Sequence, residues 1–379
     1  MKSTFIGIMP VWLLLAAWPI NGAVAMSAPQ PITLDGGPFG ALQLSGGVDG
    51  FFYALTNAQP GEKSNGAALS SALVTLEKDS GLLQFTIQVG ANSAQTLGQP
   101  PITAVAGADY FPQSPLYGGY VTVAPNDAVA ISLGQIGPLV GYENDQDWSN
   151  ANLYFSEVAA VEPAQGRGGQ IAITQGPLSA TVSLTDGYYT GVVNYLQWNL
   201  TYTPTAAHSF SFFGGANLGR TGANVHGVGD VLLNNSRLVG LFYTYTADRF
   251  SLTPEVQYQY AARNNALGIG GPVTNLSLAL FGDYQFTAGS PWSVGGFVEY
   301  ATETYNKAAA YTAAPDFFGY GPGASITGIS ITPTWQGKNL FVRSDVGFVH
   351  VHPGAGGAAF GTGKQADQVS MLMEAGVLF

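Results

Sequence analysis

From Leu42 to the last residue, apolar and polar side chains alternate along the chain. Between Arg249 and Tyr260, one parity holds Phe250, Leu252, Pro254, Val256, Tyr258 and Tyr260. The other holds Arg249, Ser251, Thr253, Glu255, Gln257 and Gln259. A β-strand sends successive side chains to opposite faces, so such a segment has one apolar and one polar face. Leu276, Leu278, Leu280, Tyr284 and Phe286 repeat the pattern against Ser277, Asp283 and Gln285. So do Leu83, Phe85, Ile87 and Val89 against Gln84, Thr86 and Gln88, and Leu196, Trp198, Leu200 and Tyr202 against Gln197, Asn199 and Thr201. The polar faces are mostly Ser, Thr, Gln, Asn and Gly, whereas a soluble sandwich would place charges on its solvent face. Strands of about 9–12 residues match the tilted span of a bilayer.

Turn-forming residues divide these strands. Short turns are predicted at Lys78–Gly81, Pro125–Asp127, Gln175–Pro177, Pro204–Ala207, Ala247–Asp248, Ala288–Pro291 and Gln336–Asn339. Between them lie mostly longer connections, near residues 55–66, 92–117, 137–167, 187–193, 218–236, 262–274, 305–323 and 352–366. The pattern predicts an all-β chain folded as a transmembrane antiparallel up-and-down β-barrel of about sixteen strands, within about 14–18, with short turns at one end and long loops at the other. Strands near 118–124 and 324–335 alternate poorly, which is why the count has a range.

Composition agrees. Charged residues are 9% of the chain, Gly numbers 51, aromatics are 12%, and mean hydropathy is only +0.16. Few charges with mild hydropathy fit a wall that is apolar outside and polar inside. There are no cysteines, which excludes disulfides, thiolate metal sites and cysteine nucleophiles. The net charge of −11 argues against a nucleic-acid partner, which needs a basic stripe. Residues 1–25 read as a secretory signal peptide: Lys2 as the positive start, an apolar stretch from Phe5 to Ile20, and Ala23-Val24-Ala25 as the cleavage site. Residues 26–41 read as a short lead and 42–379 as the barrel domain.

The last strand carries Val369, Met371, Met373, Ala375, Val377 and Phe379 on one face. A terminal aromatic on such a strand resembles the signal recognised by the barrel assembly machinery of the Gram-negative outer membrane. Trp292 and Trp335 are expected in an aromatic belt at the turn end, where lipid headgroups favour such rings, and Tyr258, Tyr260 and Tyr300 in a belt at the loop end. The segment Ser132–Glu143, with Gly134, Gln135, Pro138, Gly141 and Glu143, followed by Asn150–Ser156, resembles the G-[K/Q]-x-x-x-P-x-G-x-E pattern of the OmpL-like β-barrel porin family. Leu44–Tyr53 resembles that family's first strand. Gln135 stands where lysine is common in the family, so no cationic role is carried over. The resemblance implies an outer-membrane pore surrounded by lipid, without enzyme chemistry or a cofactor, in a size range where porins often form homotrimers.

A barrel of about sixteen strands is too wide for side chains to fill, so a water channel passing small hydrophilic solutes or ions is expected. The connection at 137–167 is the third long loop, and it carries Glu143, Asp145, Asp147, Trp148, Glu157, Glu162 and Arg167. Folded into the lumen, it would form a constriction favouring cations. Strand parity turns Asp49, Glu77, Glu255, Asp283, Glu299, Glu303, Arg343, Asp345 and Glu374 inward, with Arg249, so acids predominate there. Arg343 and Asp345, two apart on one face, are read as an ion pair. Lumenal aromatics such as Phe51, Tyr53 and Phe297 would instead suit a substrate-specific channel, and long loops over a plugged lumen a structural or adhesive barrel. His350 and His352 share the outward parity, and two ligands are too few for structural zinc. His208 beside Ser209 and Ser211 shows no motif of a hydrolase.

Overall fold

The computed structural model describes residues 26–58, 61–104, 106, 115–222 and 230–379. The signal peptide read at residues 1–25 lies outside the described residues. In chain order the strands are β1 (Ile32–Asp35), β2 (Ala41–Leu55), β3 (Asn65–Lys78), β4 (Leu83–Asn92), β5 (Gln95–Thr96), β6 (Leu116–Asn126), β7 (Val129–Ile136), β8 (Tyr154–Phe155), β9 (Gly166–Gln175), β10 (Leu178–Thr185), β11 (Tyr195–Thr205), β12 (His208–Asn217), β13 (Ser236–Ala247), β14 (Phe250–Ala261), β15 (Val273–Gln285), β16 (Trp292–Tyr305), β17 (Ser325–Gln336), β18 (Leu340–His352) and β19 (Asp367–Leu378). Sixteen of them form a closed antiparallel barrel, each paired with its neighbours in the chain and β19 returning to β2. The poorly alternating stretches are β6 and β17, so the sequence count stands.

Closure is made by the two ends of the barrel. Gly47 faces Leu378 and Phe51 faces Glu374 in the β2–β19 ladder. Beyond it Phe379 donates its N–H to Gly46 at 2.9 Å and accepts from Gly46 N at 2.8 Å. Where β19 ends, β1 takes over the same edge of β2, from Ile32 opposite Leu44 to Asp35 opposite Ala41. The lead therefore contributes a strand of its own. Met26 packs inside with Phe341 and Leu378, and Ser27 exchanges hydrogen bonds with Gln336 at the turn end.

The alternation partitions the side chains as the sequence implies. Val256 is 38% exposed while its neighbour Gln257 is wholly buried inside. At the turn end Trp292 lies opposite Trp335 on adjacent strands. Arg249 departs from its expected inward position. It sits in the β13–β14 turn, donates to the Phe286 carbonyl at 2.5 Å and lies 5.4 Å from the Tyr284 ring, whose parity is outward.

Parity alone does not decide what an inward position tolerates. Gln257 reaches the Val158 carbonyl at 3.5 Å and is packed under loop 3, whereas Gln88 lines open space. Val256→Arg should destabilise the barrel by about 2–4 kcal/mol near the bilayer midplane. Gln88→Arg should cost little, and Gln257→Arg should dislodge loop 3. Reversible unfolding in lipid bilayers measures all three.

Candidate functional site

Loop 3, residues 137–165, joins β7 to β9 and crosses the barrel interior instead of projecting from its rim. Leu139 bonds β11 through Gln197, which accepts from its N–H at 3.1 Å, and Asn199, which donates to its carbonyl at 3.0 Å. Tyr142 then packs on Phe242 and Phe281 of β13 and β15. Ala151 lies over Gly295 of β16, where an added Cβ would stand 2.3 Å from the Ala151 carbonyl oxygen, so only glycine admits the loop this close. Leu153 N donates to Thr332 at 3.2 Å, Tyr154 N to Asp345 at 3.1 Å, and Glu157 N to Glu299 at 2.7 Å. Ser156 caps a single helical turn, α1 (Glu157–Ala160), by accepting from Ala159 N. Inward strand side chains thus satisfy the backbone groups that an irregular loop leaves open.

Other loops complete the filling. β8 in loop 3 pairs in parallel with β5 in the preceding loop. Tyr320 donates to the Gly98 carbonyl at 2.6 Å, and Gln99 bridges Glu157 and the Phe318 carbonyl. Leu97, Leu153, Val158, Phe317, Tyr320 and Phe360 join inward Phe51, Phe281 and Phe297 in an apolar core within the barrel.

One charged group anchors loop 3 to β18 and β19. Arg343 is completely buried. It donates to Glu374 Oε2 through Nε at 2.8 Å and Nη2 at 2.5 Å, and to the carbonyls of Asp147 and Asn150 at 3.2 and 3.3 Å. The Asp147 carboxylate is 3.8 Å from the guanidinium and also accepts from Ser70. Carboxylate oxygens of Asp49, Asp147 and Glu374 lie within 4.8 Å of one another, a spacing a cation could bridge, but Arg343 already occupies that role. The expected Arg343–Asp345 pair is not formed. Asp345 instead accepts from Ser330, Thr332 and Tyr154 N. Parity placed both residues inward, but strand neighbours two apart diverge when each has a partner across the ladder or on the loop.

Among the described residues a void of 390 Å³ lies on the opposite side, between loop 3 and the wall of β3, β4, β6, β7 and β9. Thr75, Glu77, Thr86, Gln88, Tyr120, Ser132, Gln135 and Gln170 face it from the strands. Asn144, Asp145, Gln146, Ser149 and Gln165 face it from loop 3. Among the described residues the lining is mostly amide and hydroxyl, with two carboxylates and no basic side chain.

The loop acids read from sequence therefore divide. Asp145 lines the void. Asp147 is buried on Arg343, Glu143 accepts both the N–H and the hydroxyl of Ser156, and Glu157 meets Gln99 and the far wall. Burial pushes Glu143 up to about 7 and Glu157 up to about 8, and raises Asp145 and Glu162 as well. Trp148 packs against Met26, Phe341 and Leu378 near the turn end. Arg167 is not in the loop. It opens β9 and pairs with Asp186 at 2.6 Å, so it does not oppose the loop acids. Of the inward strand residues, Asp49, Glu255, Asp283, Glu299 and Asp345 are all buried inside the barrel, away from the void. The lining amides Gln146, Gln165 and Gln170 were missed because uncharged polar residues carry no distinguishing pattern, and Gln135 stood out only through the family motif.

Replacing Arg343 by Met should leave three carboxylates together without their cation. Breaking one side of such a buried group costs about 3–5 kcal/mol. Thermal unfolding in detergent should record that loss.

The family model described as beta-barrel porin-2, OmpL-like matches residues 41–379. Among curated proteins none matches the chain in sequence. Solved structures with a similar fold include an anion-selective porin from Comamonas acidovorans, at 14% identity over 89% of this chain and 99% of that one, TM-score 0.58. The trimer form of OmpT from Vibrio cholerae is 10% identical over 89% and 99%, TM-score 0.59. The outer membrane channel DcaP of Acinetobacter baumannii is 11% identical over 89% and 97%, TM-score 0.53. At these identities the likeness is one of fold. The family match spans the whole barrel, and with the closed sixteen-strand architecture it establishes that the chain belongs to the OmpL-like β-barrel porin family, a family of outer-membrane channel barrels.

Proposed function

We propose that this porin passes small hydrophilic solutes and ions by diffusion along the β3–β9 wall, with a weak preference for cations. The observation that carries the reading is the void itself: hydrophilic, and bearing Glu77 and Asp145 with no opposing base among the described residues. Fixed negative charge at a narrow point concentrates cations and repels anions. In this reading loop 3 forms the constriction, and it narrows the pore by filling the far side of the lumen. Selectivity belongs to the two acids that line what is left. The anion-selective relative from Comamonas acidovorans shares only the fold, and lining charge is free to differ on a shared barrel.

Three further readings accompany this one. Cleavage after Ala25 would make Met26 the first residue, seated against Phe341 and Leu378. Assembly through Phe379 is supported by its place at the barrel seam, where it pairs with Gly46. A homotrimer in the lipid bilayer is supported by the trimer form of OmpT from Vibrio cholerae. A second reading, a plugged barrel that binds a partner through its loops, is favoured by the apolar core inside the lumen. It predicts no conductance.

In planar bilayers under a salt gradient, the wild-type zero-current potential should show cation preference. That preference should fade as salt rises and the Debye length falls from roughly 30 Å at 0.01 M to about 3 Å at 1 M. Glu77→Gln with Asp145→Asn should move the pore toward non-selective. An anion-preferring wild type would contradict the reading, and silence in the bilayer would favour the plugged barrel.

A further inference from the structure

Where loop 3 lies against β14 and β16, carboxylates face carboxylates. Glu143, Glu157 and Glu162 come from the loop, Glu255 from β14 and Glu299 from β16. Glu157, Glu255 and Glu299 are buried, the other two partly so. Among the described residues no ion pair involves any of the five. Arg343, the buried cation of the lumen, is committed to Glu374 and Asp147. The charged groups facing the five are further acids: Glu162 meets Glu255 and Glu143, Glu299 meets Glu157 and Glu143, and Glu157 meets Asp316 from the connection between β16 and β17. The phenols of Tyr142, Tyr188, Tyr195 and Tyr320 also lie close and bring no positive charge.

Hydrogen bonding is half complete at this contact. Glu299 Oε2 accepts from the Glu157 N–H, but among the described residues Glu299 Oε1 has no partner. Glu157 Oε1 accepts from Gln99, while Glu157 Oε2 and Glu255 Oε1 have none. A buried carboxylate oxygen without a donor is costly, and several like charges together are costlier. A proton on each bare oxygen removes the charge and leaves the loop's N–H bonds intact.

We propose that this contact is a proton-dependent latch: protonated, it holds loop 3 against β14 and β16 and keeps the pore narrow, and when the carboxyls lose their protons their repulsion releases the loop and widens the passage. Glu143 and Glu157 are raised by burial from the ordinary 4.5 to about 7 and about 8, and Glu162 is held well above 4.5 by burial and by the charges of Glu255 and Glu143. A carboxyl raised in the latched state favours that state fully below about 4.5, and the advantage is lost as pH climbs through about 7 to 8. Each proton released on opening shifts the balance by about tenfold per pH unit.

The latch rests on the porin reading, and its test separates the two. Conductance of the full chain is recorded in planar bilayers from about pH 5 to about pH 9, with chelator present so that protons alone neutralise the carboxyls. Conductance should rise with pH in the wild type. Glu157→Gln, Glu162→Gln and Glu299→Gln combined should flatten the rise, because three of the five carboxyls can no longer ionise. Glu77→Gln with Asp145→Asn should lose cation preference but keep the pH response. Cleavage of loop 3 by proteinase K, scaled to an unstructured control peptide, should appear only at the alkaline end. That readout stands even if the triple variant fails to assemble. Conductance that is pH-independent or falls with pH, a triple variant that responds like wild type, or cleavage equal at both ends would overturn the latch. Absence of conductance at every pH would overturn the porin reading instead, with proteolysis still deciding the latch.

Discussion

A chain that crosses a bilayer as strands must leave no backbone N–H or carbonyl unpaired toward lipid, because hydrocarbon offers no partner. Here that constraint is met by the seam between β19 and β2, completed by the two hydrogen bonds between Phe379 and Gly46. Once the ladder closes, every strand has one face for lipid and one for the interior. Exposed Leu, Val, Ile, Phe and Tyr cover the first, and Ser, Thr, Gln, Asn and the few acids the second.

Sixteen strands enclose more space than their own side chains can fill. Loop 3 takes up much of it, and the inward polar face lets it do so. Thr332, Asp345, Glu299 and Gln197 accept from loop backbone N–H groups that would otherwise be buried without partners. Gly295 removes the Cβ that would keep Ala151 away from the wall. Arg343 gathers Glu374, Asp147 and two loop carbonyls at one point. The lumen that results is asymmetric, an apolar and carboxylate-rich packing on the β13–β19 side and an amide-lined void on the β3–β9 side. In the proposed pore, passage and selectivity fall to the lining of the void and gating to the carboxyls packed on the other side.

Strand number, turn positions and facing were legible because alternation is a property of neighbouring residues, and it survives any arrangement of the loops. Glu255 and Gln257 were placed inward correctly on that basis alone. Their surroundings were not legible. Whether an inward residue lines open space, as Gln88 does, or meets a buried loop, as Gln257 does, depends on contacts across the barrel between segments about a hundred residues apart. The same limit explains Arg167, whose residue type fitted the loop but whose partner is Asp186 beyond β10, and Arg343, whose partners sit on β19 and loop 3.

In the proposed pore the open path follows one wall, and loop 3 fills the other. The chain has no cysteine, so single thiols can be introduced at Gln88 on the first wall and Ser277 on the second. A charged, membrane-impermeant thiol reagent added to the conducting pore under mildly acidic conditions should reduce current through Gln88→Cys and leave Ser277→Cys unchanged. Block at Ser277→Cys with no effect at Gln88→Cys would contradict this account.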